Sequence, residues 1–180
     1  MEGQPTQSHI GESRPPEFYL ASIEALLKQI IRCGGFDLAV EIRPHQPAPG
    51  DLESPEYLVD LSGQDSALLL ESNGMLLDAF EYVVRKAVRL EDDLLTKITF
   101  DCEDWRLLRV RELQLTAQLA AERVLETGDP YPLGSMNPRD RRIIHMALRD
   151  QPKVRTQSEG FGPQRKVVIY PATSVPTPRR

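Results

Sequence analysis

Two cysteines, three histidines and a single tryptophan in 180 residues leave little material for several kinds of chemistry. Cys33 and Cys102 stand far apart and in no Cys-x-x-Cys spacing, which excludes a disulfide framework and a zinc-site pattern and leaves both as expected small buried hydrophobes. His9, His45 and His145 fall in a polar lead-in, a proline-bearing loop and a basic helix, so neither a metal cluster nor a catalytic triad can be built from them. No long apolar run exists either. The longest purely aliphatic stretch, Ala67-Leu68-Leu69-Leu70, is far short of the roughly 20 residues of a membrane span, and no membrane insertion is expected. The first residues, MEGQPTQSHIGESRPP, lack the apolar core of a secretory signal, which points to the cytoplasm. Gly160-x-Gly162-Pro163 lacks the strand-before, helix-after setting of a dinucleotide fingerprint, and Glu91-Asp92-Asp93 reads as a solvated helix end or linker. The expectation is a protein that is not an enzyme, with no catalytic residues, no metal and no cofactor.

What is present is charge, unevenly spread. The formal net charge is −5. Residues 1 to 103 hold 19 acids against 8 bases, a balance of −11, whereas residues 104 to 180 hold 8 acids against 14 bases, a balance of +6. An asymmetry of this size suggests two modules with different partners. With 40% apolar and 27% charged residues, the composition is that of a globular protein long enough for one large or two small cores.

The pattern of elements fits two modules. Residues 1–16 are polar and proline-bearing and are expected to be a disordered lead-in. Leu20, Ile23, Leu26, Leu27, Ile30 and Ile31 recur at helical spacing, and Gly34-Gly35 ends that helix. Strands are predicted at 38–43 and 57–61, with a proline loop between them. A short apolar segment, 67–70, a turn at Glu71-Ser72-Asn73-Gly74 and an amphipathic helix from Met75 to about Arg89 follow, and a strand at 97–101 completes residues 17–103. The second module, 104–171, opens with a long helix to about Thr127, whose stripe of Val110, Leu113, Ala117, Ala120 and Val124 is its buried face. A loop through Pro138, a helix at 139–149 and strands at 154–157 and 166–170 complete it, and 172–180 is a proline-rich tail expected to be disordered. The fold class is α+β, two small domains of helices packed on small sheets.

The string Met136-Asn137-Pro138-Arg139-Asp140-Arg141-Arg142-Ile143-Ile144-His145 is the most informative. On a helix, Arg141, Arg142, His145 and Arg149 fall within about 100° of arc, while Ile143, Ile144, Ala147 and Leu148 occupy much of the remaining circumference. Arg141 and His145, four apart, project the same way and have the donors to hold phosphates of one strand. The alternative is a solvated face of an amphipathic helix.

These residues, with Thr156-x-Ser158-x-Gly160 and Arg165-Lys166-Val167-Val168-Ile169 after them and Asp101, Trp105-Arg106 and Arg109 before, resemble the single-strand nucleic-acid-binding domain named for its Arg-x-x-x-His pair. The version most similar is that of the bacterial Jag, or SpoIIIJ-associated, proteins. The resemblance covers nearly all of residues 100–170. It implies that Arg141 and His145 contact single-stranded RNA or DNA, supported by Arg142, Arg106, Arg109, Arg165 and Lys166, with Ser158 and Gly160 in a turn that reaches phosphate. Arg106 and Arg109 have a second reading, local pairing with Glu103 or Glu112. No aromatic stacking platform is expected, Trp105 and Tyr170 being the aromatics considered for it.

The resemblance also implies a KH domain of type II topology in residues 17–103, with 71–74 in place of the usual Gly-x-x-Gly loop. Here Glu71 replaces the first glycine, only Gly74 remains, and Ser72 and Asn73 carry no positive charge. Glycines let the backbone approach the sugar-phosphate chain closely, and a carboxylate repels it. The expectation is a degenerate KH domain that serves protein interaction, with a KH-domain partner or as a homodimer. Many Jag proteins carry a further N-terminal domain, which the lead-in before Glu17 is too short to supply. The resemblance thus implies a non-catalytic binder of the Jag type, and the competing reading is a protein-interaction scaffold linked to cell-envelope growth or membrane-protein insertion.

Overall fold

A computed structural model describes residues 14–46 and 55–172. His9, the lead-in through residue 13, most of the proline loop and the tail from 173 lie outside the described residues. The chain divides into two compact units, Met1–Trp105 and Arg106–Arg180.

In the first unit, α1 (Glu17–Gly34) buries Tyr19, Ile23, Leu27 and Ile31, a four-residue spacing that sets one stripe of the helix into the core. Before Glu17, Pro16 is buried and the carbonyls of Pro15 and Pro16 accept from the amides of Phe18 and Tyr19. β1 (Ala39–Pro44) and β2 (Tyr57–Ser62) pair antiparallel from Ala39↔Ser62 to Pro44↔Tyr57. β3 (Ile98–Asp101) lies parallel to β2 on its other side and is buried throughout. Parallel neighbours need a crossover, which α2 (Ser66–Ala87) and a short 3-10 turn at Asp92–Leu94 supply. Leu69, Leu77, Phe80 and Val84 of α2 close the core with Val59, Leu61, Ile98 and Phe100.

α2 is two helices joined by a sharp turn. Glu71 is extended (φ −56°, ψ 152°), and Ser72, Asn73 and Gly74 all have positive φ, at 51°, 61° and 73°. Gly74 is buried, and a Cβ there would meet the indole Nε1 of Trp105 at 2.6 Å. Only glycine satisfies both the left-handed backbone and the close approach of that ring. Cys102 is buried, but Cys33 is exposed near the end of α1, contrary to the expectation for both thiols, because it lies off the stripe that packs inward.

The second unit sets α3 (Trp105–Thr127) and α4 (Pro138–Ala147) over a sheet of order β4-β6-β5, antiparallel throughout. Its core joins Leu113, Ala117, Ala120 and Val124 of α3 to Ile143 and Ile144 of α4 and to Val154, Val167 and Ile169 of the sheet. Four of the five predicted α3 stripe positions are thus fully buried, with Val110 packed at the margin. β5 (Val154–Glu159) runs two residues further than its sequence pattern suggests, and β6 (Lys166–Pro171) is the central strand. Beyond β6 the amide of Ala172 donates to the Lys153 carbonyl.

Two further elements differ from expectation. The segment read as loop through Pro138 contains β4 (Tyr131–Ser135), paired with β6 through Tyr131↔Ile169, Pro132↔Val168 and Ser135↔Lys166, with a register shift between Pro132 and Ser135. Pro132 and Gly134 hide it in the sequence, and they are tolerated because β4 is an edge strand. α4 ends at Ala147, short of Arg149, because Leu148 has left helical geometry at ψ 6°. Arg149 therefore does not belong to the helical face that carries Arg141 and His145.

Candidate nucleic-acid interface

α4 starts cleanly. The Asn137 side chain caps it by accepting from the amide of Asp140 at 2.7 Å, and Pro138 occupies a position where its missing N–H costs nothing. This fixes Arg141 and His145 one turn apart on the face turned toward β5. Strand alternation puts Thr156 and Ser158 on the same face of β5, directly beneath them.

The four side chains form one network. His145 Nδ1 lies 2.6 Å from Thr156 Oγ1, and His145 Nε2 lies 2.9 Å from Ser158 Oγ. Arg141 Nη1 donates to the same Ser158 hydroxyl at 3.3 Å. A hydroxyl donates once and accepts twice, so Ser158 can serve both neighbours, and either neutral tautomer of His145 satisfies the geometry. Burial and, less strongly, the adjacent Arg141 charge hold the His145 imidazole below its ordinary pKa. Both ring nitrogens are thus engaged with hydroxyls in this structure, which the helical spacing alone did not show, and the ring bridges Thr156 and Ser158 beside Arg141.

The arginines separate sharply by their partners. Arg109 points inward: its side chain is 13% exposed, its Nε and Nη2 donate to Asp140 Oδ2 at 3.1 and 2.8 Å, and its Nη1 donates to Glu112 Oε2 at 2.8 Å. Asp140 is itself buried, so the pair ties α3 to α4. Burial alone would push the Arg109 guanidinium down, but the bonds to Asp140 and Glu112 outweigh that and hold it above its ordinary value. The pairing reading of Arg109 therefore fits the geometry, although with Asp140 as the main partner. Arg141 is the opposite case. No carboxylate pairs with it among the described residues, and its Nε is sealed from solvent without an acceptor.

The other expected residues are scattered around this network. Arg142 is exposed on α4 and Arg165 is exposed at the end of the β5–β6 connection, where its carbonyl accepts from the Met136 amide. Lys166 pairs across the strands with Glu159, which by alternation is the sheet face opposite Ser158. Arg106 sits half-buried at the start of the second unit and has interactions of its own. Gly160 has φ 87° in the turn after β5. Of the expected set, the structure brings Arg141, His145 and Ser158 into direct contact.

Thr156 and Phe161 have no assigned role in the sequence reading. Thr156 was legible, since two residues of separation in a strand put it on Ser158's face. Phe161 stands in the same connection with 94% of its surface exposed, an aromatic in addition to the two considered for stacking.

Fold and site together define an α+β protein of two units, the second of which presents an arginine without a carboxylate beside a histidine–hydroxyl network. The family model of the R-3-H domain, so called for an arginine and a histidine separated by three residues, matches residues 111–171. The chain is 35% identical over 114 residues to the RNA-binding protein KhpB of Clostridium symbiosum, covering 63% of this chain and 51% of that one. It is 32% identical over 111 residues to the RNA-binding protein KhpB of Bacillus subtilis, covering 61% and 53%. The chain thus spans about half the length of these curated relatives. No helix among the described residues is long and apolar enough to cross a membrane, and no cluster of His, Cys, Asp or Glu that could hold a metal ion occurs among them.

Proposed function

We propose that this protein binds single-stranded nucleic acid, RNA in the first place, through its second unit, without catalysing a reaction and as a protein of the cytoplasm. The observation that carries the reading is the contrast between Arg109, spent on two carboxylates, and Arg141, which has none. A half-buried guanidinium whose charge no carboxylate balances is stabilised by an anionic ligand, and a phosphodiester does so without disturbing the Ser158 bond. Arg142 and Arg165, both exposed, add charge around it. The matches to the Arg-x-x-x-His domain and to proteins named for RNA binding support the same reading.

The first unit is read as a KH-like domain of type II element order whose turn has lost its clamp. Glu71 is exposed at the start of that turn, and no cation stands in it. Its role is then protein interaction or dimerisation. Fluorescence anisotropy with short RNA and DNA oligomers at several salt concentrations tests both statements in the full chain. Affinity should fall with salt, and Arg141→Ala should lower the log-log slope by about 1. The double variant R141A/H145A, folded by circular dichroism, should lose at least about tenfold in affinity. Affinity that is unchanged in that variant would show that Arg141 and His145 are not the site.

A further inference from the structure

The connection from β5 to β6 holds a feature that backbone contact by Arg141 does not use. Glu159 and Lys166 are the last paired residues of the hairpin, and the six residues from Gly160 to Arg165 between them are all exposed. Among them Phe161 has 94% of its surface in water, the largest exposure of any large hydrophobic side chain among the described residues. A phenylalanine this bare costs solvation free energy and, in a loop, is not retained by packing.

The backbone around it is built to hold the ring out. Gly160 has φ 87° and Gly162 has φ 54°, and Phe161 between them is extended at φ −131° and ψ 153°. A Cβ at Gly160 would meet the backbone carbonyl of Gln164 at 3.1 Å, so the turn is tight on its inner side. Gly162-Pro163-Gln164 then forms a 3-10 turn that ends at the exposed Arg165. Two left-handed glycines and a proline restrict the loop and aim one aromatic outward. Three residues before it on β5 is Ser158, the hydroxyl that Arg141 and His145 both hold.

We propose that Phe161 is a base-stacking residue, which takes the π-face of one unpaired nucleobase of the strand whose phosphate lies on Arg141. This rests on the reading of the second unit as a single-strand binder and adds to it a contact with a base rather than the backbone. The surroundings favour a nucleobase over an apolar protein partner. The other residues of the loop are Gly160, Gly162, Pro163, Gln164 and Arg165, so Pro163 is the one other apolar side chain it offers toward a docking patch, whereas a single exposed ring in a loop that ends on a cation suits one base and its phosphate. Because every base has a π-face, such a contact tolerates sequence.

The test uses the full chain, anisotropy, and labelled oligouridine and oligothymidine of about ten nucleotides, a length within the range that single-strand sites cover. Phe161→Ala should weaken binding by about tenfold with the salt slope unchanged, because no ion pair is lost. Phe161→Trp should retain affinity, and its indole emission, corrected for that of Trp105 in the parent chain, should be quenched as oligomer is added. An oligomer with abasic sugars throughout should bind the parent chain no better than it binds F161A. If F161A binds both oligomers as tightly as the parent while R141A loses affinity, the stacking proposal is overturned and backbone contact stands. If the parent chain binds neither oligomer at low salt, the underlying reading fails as well, and the two failures are thereby told apart.

Discussion

Two turns rich in left-handed residues, Glu71 to Gly74 in the first unit and Gly160 to Arg165 in the second, have opposite characters. In the first, Glu71 to Gly74, the glycine is buried against Trp105 and the exposed positions carry a carboxylate and two uncharged side chains. In the second, Gly160 to Arg165, the glycines are exposed to solvent, an aromatic ring faces water and a cation closes the turn. Left-handed geometry alone is therefore no mark of a nucleic-acid clamp. What the backbone leaves accessible, and the charge of the side chains beside it, decides between a joint inside a core and a surface that meets a ligand.

The largest effect expected from probing these regions is structural and lies in the second unit. Asp140→Asn removes the buried negative charge that faces the Arg109 guanidinium and should cost about 3–5 kcal/mol, read as a lower midpoint in denaturant. Arg142→Ala, on the exposed face of the same helix, should change stability by less than about 0.5 kcal/mol. If both variants were equally stable, the division of the arginines into structural and ligand-facing groups would be wrong.

Next in size is the comparison of the turns themselves. Gly74→Ala adds a methyl at φ 73° and drives it into the Trp105 indole, and a loss of about 2–3 kcal/mol is expected from strain and overpacking together. Gly162→Ala meets nothing within 4 Å and should cost only the backbone strain, about 1 kcal/mol. Equal losses in thermal unfolding would mean that Trp105 does not cover the first turn in solution.

The smallest effect is a pH dependence. The folded pKa of His145 is lowered, so the unfolded chain binds the proton more readily, and stability should decline as pH falls through the unfolded value of about 6.5. In His145→Gln that part of the decline should vanish, giving a flatter stability profile on the acid side of neutrality. An unaltered profile would show that desolvation does not perturb His145.

Much of the architecture was legible because it rests on local periodicity. The stripe of Leu113, Ala117, Ala120 and Val124 predicts a buried helix face that the structure contains, and the short β-branched run Val167-Val168-Ile169 does the same for a buried strand. β4 was not legible, since Pro132 and Gly134 remove its strand signal and its pairing with β6 is a contact between distant residues. At the site, the four-residue spacing of Arg141 and His145 was enough to put them on one face. It did not reveal that the face is turned to β5, nor that Ser158 and Thr156 would occupy both nitrogens of the imidazole.

By itself the sequence determined the charge division, the order of most elements and the basic character of α4, because each depends on residues close together in the chain. Only the tertiary structure decided which arginine is spent and which is available. Arg109 and Asp140 are 31 residues apart in sequence, and their pairing exists only once α3 and α4 share a core. The same holds for Trp105 over Gly74. Charge is a property of composition, but its availability depends on burial and partners, which folding alone assigns.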